Sequence, residues 1–333
     1  MSAVELSPCI AKSRRLEAFV TTGSSSPLRI LRLPDGRNIA CAEYGHRSGL
    51  PVLALHGTPG SRLMFALAHK AARERGVRLI APERPGYGLS DYRAAESLAQ
   101  IAEDLKSVAD AYGLGRFAII GVSGGAPYAV AAAEALPERI SLLGLVAPVG
   151  EVAAGELALS GFHRFLFKRL ARRPWAVRLF LHRLRLLIFR SPDTIYHWLM
   201  RRVRPADRKI LARAEVKASL HAGIGEGLRP GVEGAAQDLR LYCAPWRLRL
   251  AEIDVPAIVW QGSDDPVVPP AAAYALARAL PNCRLDVIPG AGHYWVFDQF
   301  GLILDAVAAV LRADAETRPA EGLAGATPSS LRP

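Results

Sequence analysis

One serine in the sequence has neighbours that are typical of a catalytic nucleophile. Ser123 stands in the sequence Gly-Val-Ser-Gly-Gly of residues 121–125. A β-branched and aromatic run precedes it and an alanine-rich stretch that ends at Pro137 follows, so the order predicts a strand, a tight turn and a helix. Glycine is needed two positions to either side because a larger side chain would collide with the neighbouring strand or helix. The pattern predicts a hydroxyl beside the N–H groups of a helix N-terminus, with a plain glycine turn as the alternative.

A serine hydroxyl is a weak nucleophile unless a base removes its proton. The base must lie at the same edge of a sheet as the serine, just after the carboxyl end of a strand. His293 fits best because it stands in a short glycine loop after the last predicted strand. His56 also follows a strand, but we expect it to brace the adjoining turn. Four further histidines are expected to be ordinary surface or core residues: His163, His182, His197 and His221.

The imidazole needs a carboxylate to orient it, and the sequence offers three candidates. Asp264 and Asp265 both follow a predicted strand, and either preserves the chain order serine, acid, histidine. We expect one of them to face the imidazole and the other to cap the following turn. Glu151 is a more remote third candidate.

The tetrahedral intermediate of such a reaction needs two hydrogen-bond donors for its oxyanion. The N–H of Gly124, directly after the serine, is one candidate. The second should come from the loop that follows the predicted strand at 52–55, where Thr58 is the favoured residue. This chemistry requires neither a metal nor an organic cofactor. The four cysteines show no metal-ligand spacing and are expected to be reduced: Cys9, Cys41, Cys243 and Cys283.

Alternating strands and helices are predicted around these residues. A hairpin is expected across the Pro-Asp-Gly-Arg turn at 34–37. Continuously apolar strands that alternate with helices indicate an α/β fold, with a mostly parallel sheet covered on both faces. The strands are predicted at 52–55, 77–81, 117–120, 140–146, 256–260 and 284–288, and the helices at 64–75, 98–112, 124–136, 271–280 and 302–311.

The positive charge is concentrated in the middle of the chain. The formal net charge is +11 over 333 residues; residues 1–150 carry +4, 151–240 carry +10 and 241–333 carry −3. This distribution indicates a local surface property rather than a nucleic-acid-binding protein. The middle segment has helical patterns and no convincing strand. The expected organisation is a flexible leader at 1–27, a core at 28–150 and 246–313, a helical cap at 151–245 and a disordered tail at 314–333.

No targeting or membrane-spanning pattern is found in the sequence. No apolar run reaches the roughly 18 residues of a membrane span. Residues 1–20 are mixed and charged, without the apolar centre of a signal peptide. We therefore expect a cytoplasmic protein. Peripheral attachment to a membrane surface is a further option.

Five motifs together resemble those of the α/β-hydrolase fold superfamily. They occur along the chain in the same order as in that superfamily, and the resemblance covers about residues 28–313. They are Gly-Val-Ser-Gly-Gly at 121–125, His-Gly-Thr-Pro at 56–59, Arg-Pro-Gly-Tyr-Gly-Leu-Ser at 84–90, Gly-Ser-Asp-Asp-Pro-Val-Val-Pro at 262–269 and Gly-Ala-Gly-His at 290–293. The resemblance implies an eight-stranded, mostly parallel sheet with a helical cap over the site. It also implies that Asp265 is the acid and Thr58 the second oxyanion donor. Glu83 stands where similar proteins usually carry aspartate.

The function implied is a serine hydrolase that cleaves a carboxylic ester through an acyl-enzyme. Serine at position 123 argues against the epoxide-hydrolase and dehalogenase branches. Acyltransferases, C–C bond hydrolases, cofactor-free haloperoxidases and aminopeptidases share the same triad, and a ligand-binding receptor with little turnover is a further alternative. The expected partner is a small ester or acyl substrate. Candidate pocket residues, for which plain aromatic packing is equally expected, are Met64, Phe65, Trp198 and Trp295.

Two segments of the expected cap, 161–170 and 177–190, mix arginine with large apolar residues at helical spacing. The simplest interpretation is a helix with its apolar side on the core and its arginines in water. A second is a surface that docks on anionic lipid. A third is attraction of acidic substrates or of an acidic carrier protein.

Overall fold

The computed structural model describes residues 28–151 and 173–317. Within these ranges the chain forms eight strands in one sheet. They are β1 (Leu28–Arg32), β2 (Asn38–Gly45), β3 (Leu50–Leu55), β4 (Val77–Pro82), β5 (Phe117–Val122), β6 (Ile140–Val146), β7 (Ala257–Gly262) and β8 (Cys283–Ile288). The strand order is β1-β2-β4-β3-β5-β6-β7-β8. The first two pairings, β1 with β2 and β2 with β4, are antiparallel, and the rest are parallel. The predicted eight-stranded, mostly parallel sheet is confirmed.

Helices cover both faces of the sheet. They are α1 (His69–Glu74), α2 (Leu98–Ala111), α3 (Ala126–Ala135), α4 (Pro174–Arg190), α5 (Pro192–Met200), α6 (Pro205–Leu211), α7 (Ala214–Gly227), α8 (Glu233–Cys243), α9 (Pro270–Ala279) and α10 (Phe300–Thr317). Residues of α2, α3 and α9 belong to one hydrophobic cluster. Residues of α1 and α10 belong to the second cluster. The core strands β3, β5 and β6 are therefore buried on both sides, which explains their continuous apolar character.

The helices α4 to α8 lie between β6 and β7, so this part of the chain is an insertion between two neighbouring strands. We call this part of the chain, residues 173–243, the cap. Helix α7 packs against a 3₁₀ segment at Arg62–Ala68, and α4 packs against α8. No helix of the described residues is long and apolar enough to cross a membrane. The predicted leader at 1–27, the segment 161–170 and most of the predicted tail lie outside the described residues.

Two element boundaries differ from those predicted. The helix expected at 64–75 is the 3₁₀ segment Arg62–Ala68 followed by α1, because Ser61 caps the chain early by accepting the Leu63 N–H at 3.3 Å. The last helix does not end at 311. It continues to Thr317, so a tail that begins at 314 is wrong. Asp314 explains the extension, because its carboxylate pairs with Arg116 at 2.8 Å.

Candidate active site

Ser123 lies at the sharp turn between β5 and α3, at the carboxyl edge of the sheet. Its φ of 52° is in the left-handed region, which only glycine adopts without strain. The flanking glycines make this turn possible. A Cβ at Gly121 would lie 2.8 Å from the nitrogen of Ala126, and one at Gly125 would lie 2.9 Å from the carbonyl oxygen of His56. The glycine pattern of the sequence is therefore a requirement of the turn that presents the serine.

His293 follows β8 and is paired with Asp265, which follows β7. Nδ1 of His293 lies 2.7 Å from Oδ2 of Asp265. A carboxylate only accepts hydrogen bonds, so the pairing places the imidazole proton on Nδ1. Nε2 is then the ring nitrogen that is left to exchange a proton with a hydroxyl group. Ser123, Asp265 and His293 all follow strands of the parallel part of the sheet, at its carboxyl edge.

The two neighbouring aspartates do not divide their roles as expected. Oδ1 of Asp265 accepts the backbone N–H groups of Val267 and Val268, both at 2.8 Å, so one buried carboxylate both faces the imidazole and caps the turn. Asp264 is exposed, and its Oδ1 accepts the hydroxyl of Ser263 at 3.1 Å. The expectation that the other aspartate caps the turn is wrong, because the two oxygens of a single carboxylate suffice for both tasks.

Glu151, the third candidate acid, is engaged elsewhere. Its Oε1 accepts the backbone N–H of Trp246 at 2.9 Å, where the chain returns from the cap.

The charges around His293 favour its protonated form. Burial of the imidazole lowers its pKa, but the charge and hydrogen bond of Asp265 and the charge of Asp207 outweigh burial. The pKa of His293 is therefore raised above its ordinary value. The side chain is 11% exposed, which leaves it within reach of a substrate while most of it is shielded from water. An imidazole held in this way accepts a proton readily from a hydroxyl.

A carboxylate from the cap holds the backbone next to His293. Asp207, in the first turn of α6, is fully buried. Its Oδ2 accepts the backbone N–H of His293 at 2.8 Å, and its Oδ1 accepts that of Tyr294 at 2.9 Å. A Cβ at Gly292 would overlap this carboxylate. Nothing in the sequence near Asp207 indicates this contact, because an aspartate shortly after a proline is typical of any helix start.

The two residues expected to provide the oxyanion donors are linked by Tyr242. The Tyr242 hydroxyl donates to the carbonyl oxygen of Gly124 at 2.6 Å and lies 2.7 Å from Oγ1 of Thr58. A Cβ at Gly124 would lie 2.5 Å from both hydroxyl oxygens, so glycine is required here. The loop that carries Thr58 also lies against the serine, because a Cβ at Gly57 would be 3.5 Å from Cβ of Ser123. The Thr58 hydroxyl is occupied, which leaves its backbone N–H as the group for an oxyanion.

Asp238 of α8 collects the hydrogen bonds behind this loop. Its Oδ2 accepts from Thr58 Oγ1 at 2.5 Å, from Arg84 Nη2 at 2.7 Å and from the Tyr87 hydroxyl at 2.6 Å. Its Oδ1 accepts the Tyr128 hydroxyl at 2.5 Å. Burial, followed by the charge of Asp238, raises the pKa of Tyr87 and Tyr128 well above the ordinary value, so both remain donors. We call these five side chains the Asp238 cluster. Through Asp238, these hydrogen bonds connect the cap to the loop that carries Thr58.

A sequence profile described as the alpha/beta hydrolase fold matches residues 51–300. The chain belongs to this alpha/beta hydrolase family. The match spans every residue of the site described above, from Thr58 to His293, together with the whole cap. The resemblance inferred from the five motifs is confirmed.

Known proteins similar to this alpha/beta hydrolase carry several different names. It is 28% identical over 296 residues to "Putative carbamate hydrolase RutD" of Klebsiella pneumoniae, a match that covers 84% of this chain and 99% of the relative. It is 29% identical to a non-heme chloroperoxidase of Streptomyces lividans, over 78% of this chain and 90% of that one. A solved structure of a thermophilic esterase from Thermogutta terrifontis superposes with a TM-score of 0.62 at 24% identity, covering 86% and 99% of the two chains. The family and the relatives' names support a hydrolase.

Glu83, at the position where the resemblance implies aspartate, lies in a buried chain of ion pairs. Arg62 donates to Glu83 at 2.5 Å and to Glu226 of α7 at 2.7 Å. The second oxygen of Glu83 accepts the Leu89 N–H at 2.8 Å. Burial raises the pKa of Glu83 to about 7, against the opposing effect of Arg62. This chain of ion pairs joins the loop after β4 to the cap, and none of its hydrogen bonds goes to Asp265 or His293.

His56 braces its loop, as expected from the sequence. Its Nδ1 lies 2.8 Å from the carbonyl oxygen of Gly57, and its Nε2 accepts the Arg84 backbone N–H at 3.3 Å. Burial, and then the charge of Arg84, lowers the pKa of His56 well below its ordinary value, so the ring is neutral. Both ring nitrogens of His56 are therefore engaged in holding the loop.

The four candidate pocket residues lie in different environments. Phe65 and Trp295 are core side chains of the second hydrophobic cluster, and Met64 is half-buried at its margin. Trp198 is 46% exposed on the cap, with the guanidinium of Arg202 4.0 Å from its ring centre. A pocket-lining role remains a prediction for these residues.

The remaining candidate histidines and cysteines lie on segments other than the loops that carry Asp265 and His293. Three cap histidines lie on α4, α5 and α7, and His163 lies outside the described residues. Cys41, Cys243 and Cys283, the cysteines of the described residues, form no disulfide bond. In residues 28–151 and 173–317, no three or more His, Cys, Asp or Glu side chains are grouped so that they could hold a metal ion.

Proposed function

We propose that this alpha/beta hydrolase cleaves carboxylic esters through an acyl-enzyme on Ser123. The observation that carries the proposal is the pairing of Asp265 with His293 at the sheet edge where Ser123 is held at a strained φ. A buried carboxylate, an imidazole and a half-buried serine at a tight turn are the parts that nucleophilic acyl transfer needs.

In the proposed reaction, the Ser123 oxygen attacks the carbonyl carbon of the ester while its proton passes to Nε2 of His293. The negative oxygen of the tetrahedral intermediate accepts hydrogen bonds from the backbone N–H groups of Gly124 and Thr58. His293 then gives the proton to the departing alkoxide, which leaves as the alcohol, and the acyl group stays on Ser123. Water, deprotonated by His293, attacks the acyl-enzyme; the bond between the acyl carbon and the Ser123 oxygen breaks, His293 returns the proton to that oxygen, and the carboxylic acid leaves. Asp265 holds Nδ1 throughout and stabilises the imidazolium.

The positions of three residues support these roles. Asp265 can stabilise the imidazolium because its carboxylate faces the imidazole and is held in place by hydrogen bonds from two backbone N–H groups and from the Gln261 amide. Thr58 can present its N–H because the side chain is fixed in the Asp238 cluster. Gly124 can lie close to Thr58 because it has no Cβ, which would come within 2.5 Å of the Thr58 and Tyr242 hydroxyl oxygens. The reaction needs no group beyond the chain's own residues and water.

The relatives suggest which competing substrates to include in a test. Names such as carbamate hydrolase and 2-hydroxymuconate semialdehyde hydrolase describe cleavage of other bonds. The esterase names belong to solved structures under 25% identical to this chain, which share its fold. Ester cleavage is proposed from the chemistry of the site. Cleavage of one of the other bonds is an alternative outcome of the experiment.

The experiment is a hydrolysis screen over p-nitrophenyl esters of graded acyl length, with a carbamate and a vinylogous 1,5-diketone beside them. We expect ester turnover that falls by at least about 10⁴-fold in Ser123→Ala. A fluorophosphonate probe should label the native protein and fail to label either Ser123→Ala or His293→Ala. Labelling without ester turnover, but with turnover of the carbamate or the diketone, would replace the ester by that substrate. Absence of both labelling and turnover would point to a binding protein.

A further inference from the structure

We propose that Asp207 is a positioning residue for the catalytic imidazole, through which the cap sets the placement of His293. The inference rests on the proposed function, because it concerns the residue that acts as base there. Asp207 does not touch the imidazole. It acts through the backbone, by accepting the N–H groups of His293 and Tyr294 at 2.8 and 2.9 Å.

Those two N–H groups need an acceptor that the local chain cannot supply. Residues Tyr294–Phe297 form a 3₁₀ turn, and the first N–H groups of any helical turn have no partner within it. The loop before the turn contains Gly290 and Gly292, which give it little stiffness of its own. Asp207 satisfies both groups from α6, which is 86 residues away in sequence from His293.

Two carboxylates restrain the position of His293, one from the core and one from the cap. Nδ1 of His293 is held by Asp265 from the core, and its backbone is held by Asp207 from the cap. Gly292 packs so closely on Asp207 that a Cβ would overlap the carboxylate. Since small displacements of a catalytic group can reduce a rate by about 10²-fold, this double restraint should matter for proton transfer.

The test compares Asp207→Asn with a matched change elsewhere in the cap. Asp193→Asn is the control, because Asp193 also follows a proline in the first turn of a cap helix but is exposed and pairs with Lys217. Two readouts are measured: ester kinetics, and the rate at which a fluorophosphonate labels Ser123, which does not depend on the substrate chosen. We expect Asp207→Asn to lower kcat and the labelling rate by about tenfold. Asp193→Asn should leave both unchanged.

The pH profile separates positioning from simple stabilisation. Both Asp207 and Asp265 favour protonated His293, so removing the charge at 207 should move the acidic limb of kcat/KM to lower pH. Gly292→Ala displaces the carboxylate from the opposite side and should lower the labelling rate as well, which provides a second variant if Asp207→Asn folds poorly. Lower thermal stability with an unchanged labelling rate and an unchanged limb in both variants would overturn the proposal. A native protein that neither labels nor hydrolyses esters would refute the proposed function first.

A second, independent inference concerns the outer surface of the cap. Six of the twelve large apolar side chains that are exposed in the described residues lie on α4 and α5. They are Trp175, Leu179, Leu186, Leu187, Phe189 and Trp198. Residues 173–204 contain eight arginines and a single acidic residue, Asp193. We call the exposed side chains of α4 and α5 the cap face.

We infer that the cap face docks on an anionic lipid surface. Helices that lie in a membrane interface combine exposed tryptophan, phenylalanine and leucine with basic residues, as α4 does. Arg183 and Arg190 are exposed on α4 and form no ion pair with any described residue, so they are available to lipid phosphates. Charge argues against a second copy of this chain, because a two-fold contact would set arginines against arginines. An acidic protein partner would not require the apolar side chains to be buried.

Vesicle sedimentation tests this inference with the full chain. We expect binding to vesicles of phosphatidylcholine mixed with phosphatidylglycerol, little binding to phosphatidylcholine alone, and loss of binding in high salt. The change Arg183→Glu with Arg190→Glu should weaken binding by at least about fivefold per arginine. Trp175→Ser with Leu179→Ser should also weaken it. Leu302→Ser, an exposed leucine of α10, is the control and should bind as the native protein does.

Three results would overturn the lipid assignment. The first is an absence of sedimentation with anionic vesicles. The second is full binding by the Trp175 and Leu179 double variant, because the apolar side chains would then have no part in binding and charge alone, which any acidic surface offers, would be enough. The third is concentration-dependent dimerisation that this same variant abolishes, because the cap face would then contact a second copy.

Discussion

Nδ1 of His293 lies 2.7 Å from Oδ2 of Asp265, and the other oxygen of that carboxylate is held by two backbone N–H groups. The carboxylate is therefore fixed before a substrate arrives. Its neighbour Asp264 shares neither contact, although the two residues are adjacent and chemically identical. This difference between neighbours provides a direct test of the catalytic pair.

Asp265→Asn should lower kcat for the best ester by about 10³- to 10⁴-fold. The amide can present an N–H to the imidazole, which favours the wrong tautomer and withdraws the charge that stabilises the imidazolium. Asp264→Asn is the matched control and should retain nearly full activity, because its side chain is exposed. Steady-state kinetics of the two variants decide the question. Equal losses in both would mean that the carboxylates act together, and a larger loss at 264 would reassign the acid.

The pH dependence of kcat/KM should follow His293. Two carboxylates, Asp265 and Asp207, hold the pKa of this imidazole above its ordinary value despite burial. Because the base must be unprotonated to accept the serine proton, activity should fall as pH decreases through that raised pKa. The midpoint of the acidic limb is therefore expected above about 6.5. Rates measured with a p-nitrophenyl ester across pH give the midpoint, and a value below the ordinary one would contradict the described electrostatics.

Much of the sheet could be predicted because local patterns determine it. The strands that flank the serine are continuously apolar, since both faces are covered, and Ser123 is surrounded by glycines that the turn requires. His293 and Asp265 could be proposed because each follows a strand and because the motifs resemble a known family. These signals lie within a few residues of the feature they predict.

The parts that could not be predicted depend on contacts between distant segments. Asp207 reaches His293 across 86 residues, and Asp238 reaches Arg84 across 154. Each is a single aspartate on an ordinary helix, and nothing near it in sequence indicates its partner. Which of two adjacent aspartates faces the imidazole is likewise decided by the course of the turn, since composition is the same at both positions.

Tyr242→Phe should lower kcat by more than its loss of folding stability can explain. Its hydroxyl donates to the Gly124 carbonyl at 2.6 Å and lies 2.7 Å from Thr58 Oγ1, so it links the two peptide segments that carry the oxyanion donors. Loss of this bridge should lower kcat by about tenfold with little change in KM, because the oxyanion forms only in the transition state. Unfolding in urea should show a loss of about 1–2 kcal/mol.

Tyr128→Phe is the control for that substitution. Its hydroxyl belongs to the Asp238 cluster and donates to Asp238, not to Gly124 or Thr58. The two variants should lose similar stability, while only Tyr242→Phe should lose a tenfold factor in kcat. If Tyr128→Phe reduced kcat equally, the integrity of the Asp238 cluster as a whole would be the cause, and the specific bridge would carry no separate role.

Glu83→Asp tests whether the family's usual residue fits this chain. The glutamate is fully buried. Its carboxylate accepts a hydrogen bond from the Arg62 guanidinium at 2.5 Å and one from the Leu89 N–H at 2.8 Å. Aspartate is one methylene shorter, so it would retract from one or both donors and leave buried polar groups without partners. We expect the free energy of unfolding to fall by about 1–3 kcal/mol, with a smaller effect on kcat because Glu83 does not contact the catalytic pair. Glu103→Asp, at an exposed position whose carboxylate lies 3.7 Å from Arg93, should change stability by less than about 0.5 kcal/mol. Equal stability of Glu83→Asp and the native protein in urea would show that the loop after β4 adapts to the shorter side chain, and that the ion-pair chain to the cap does not depend on glutamate.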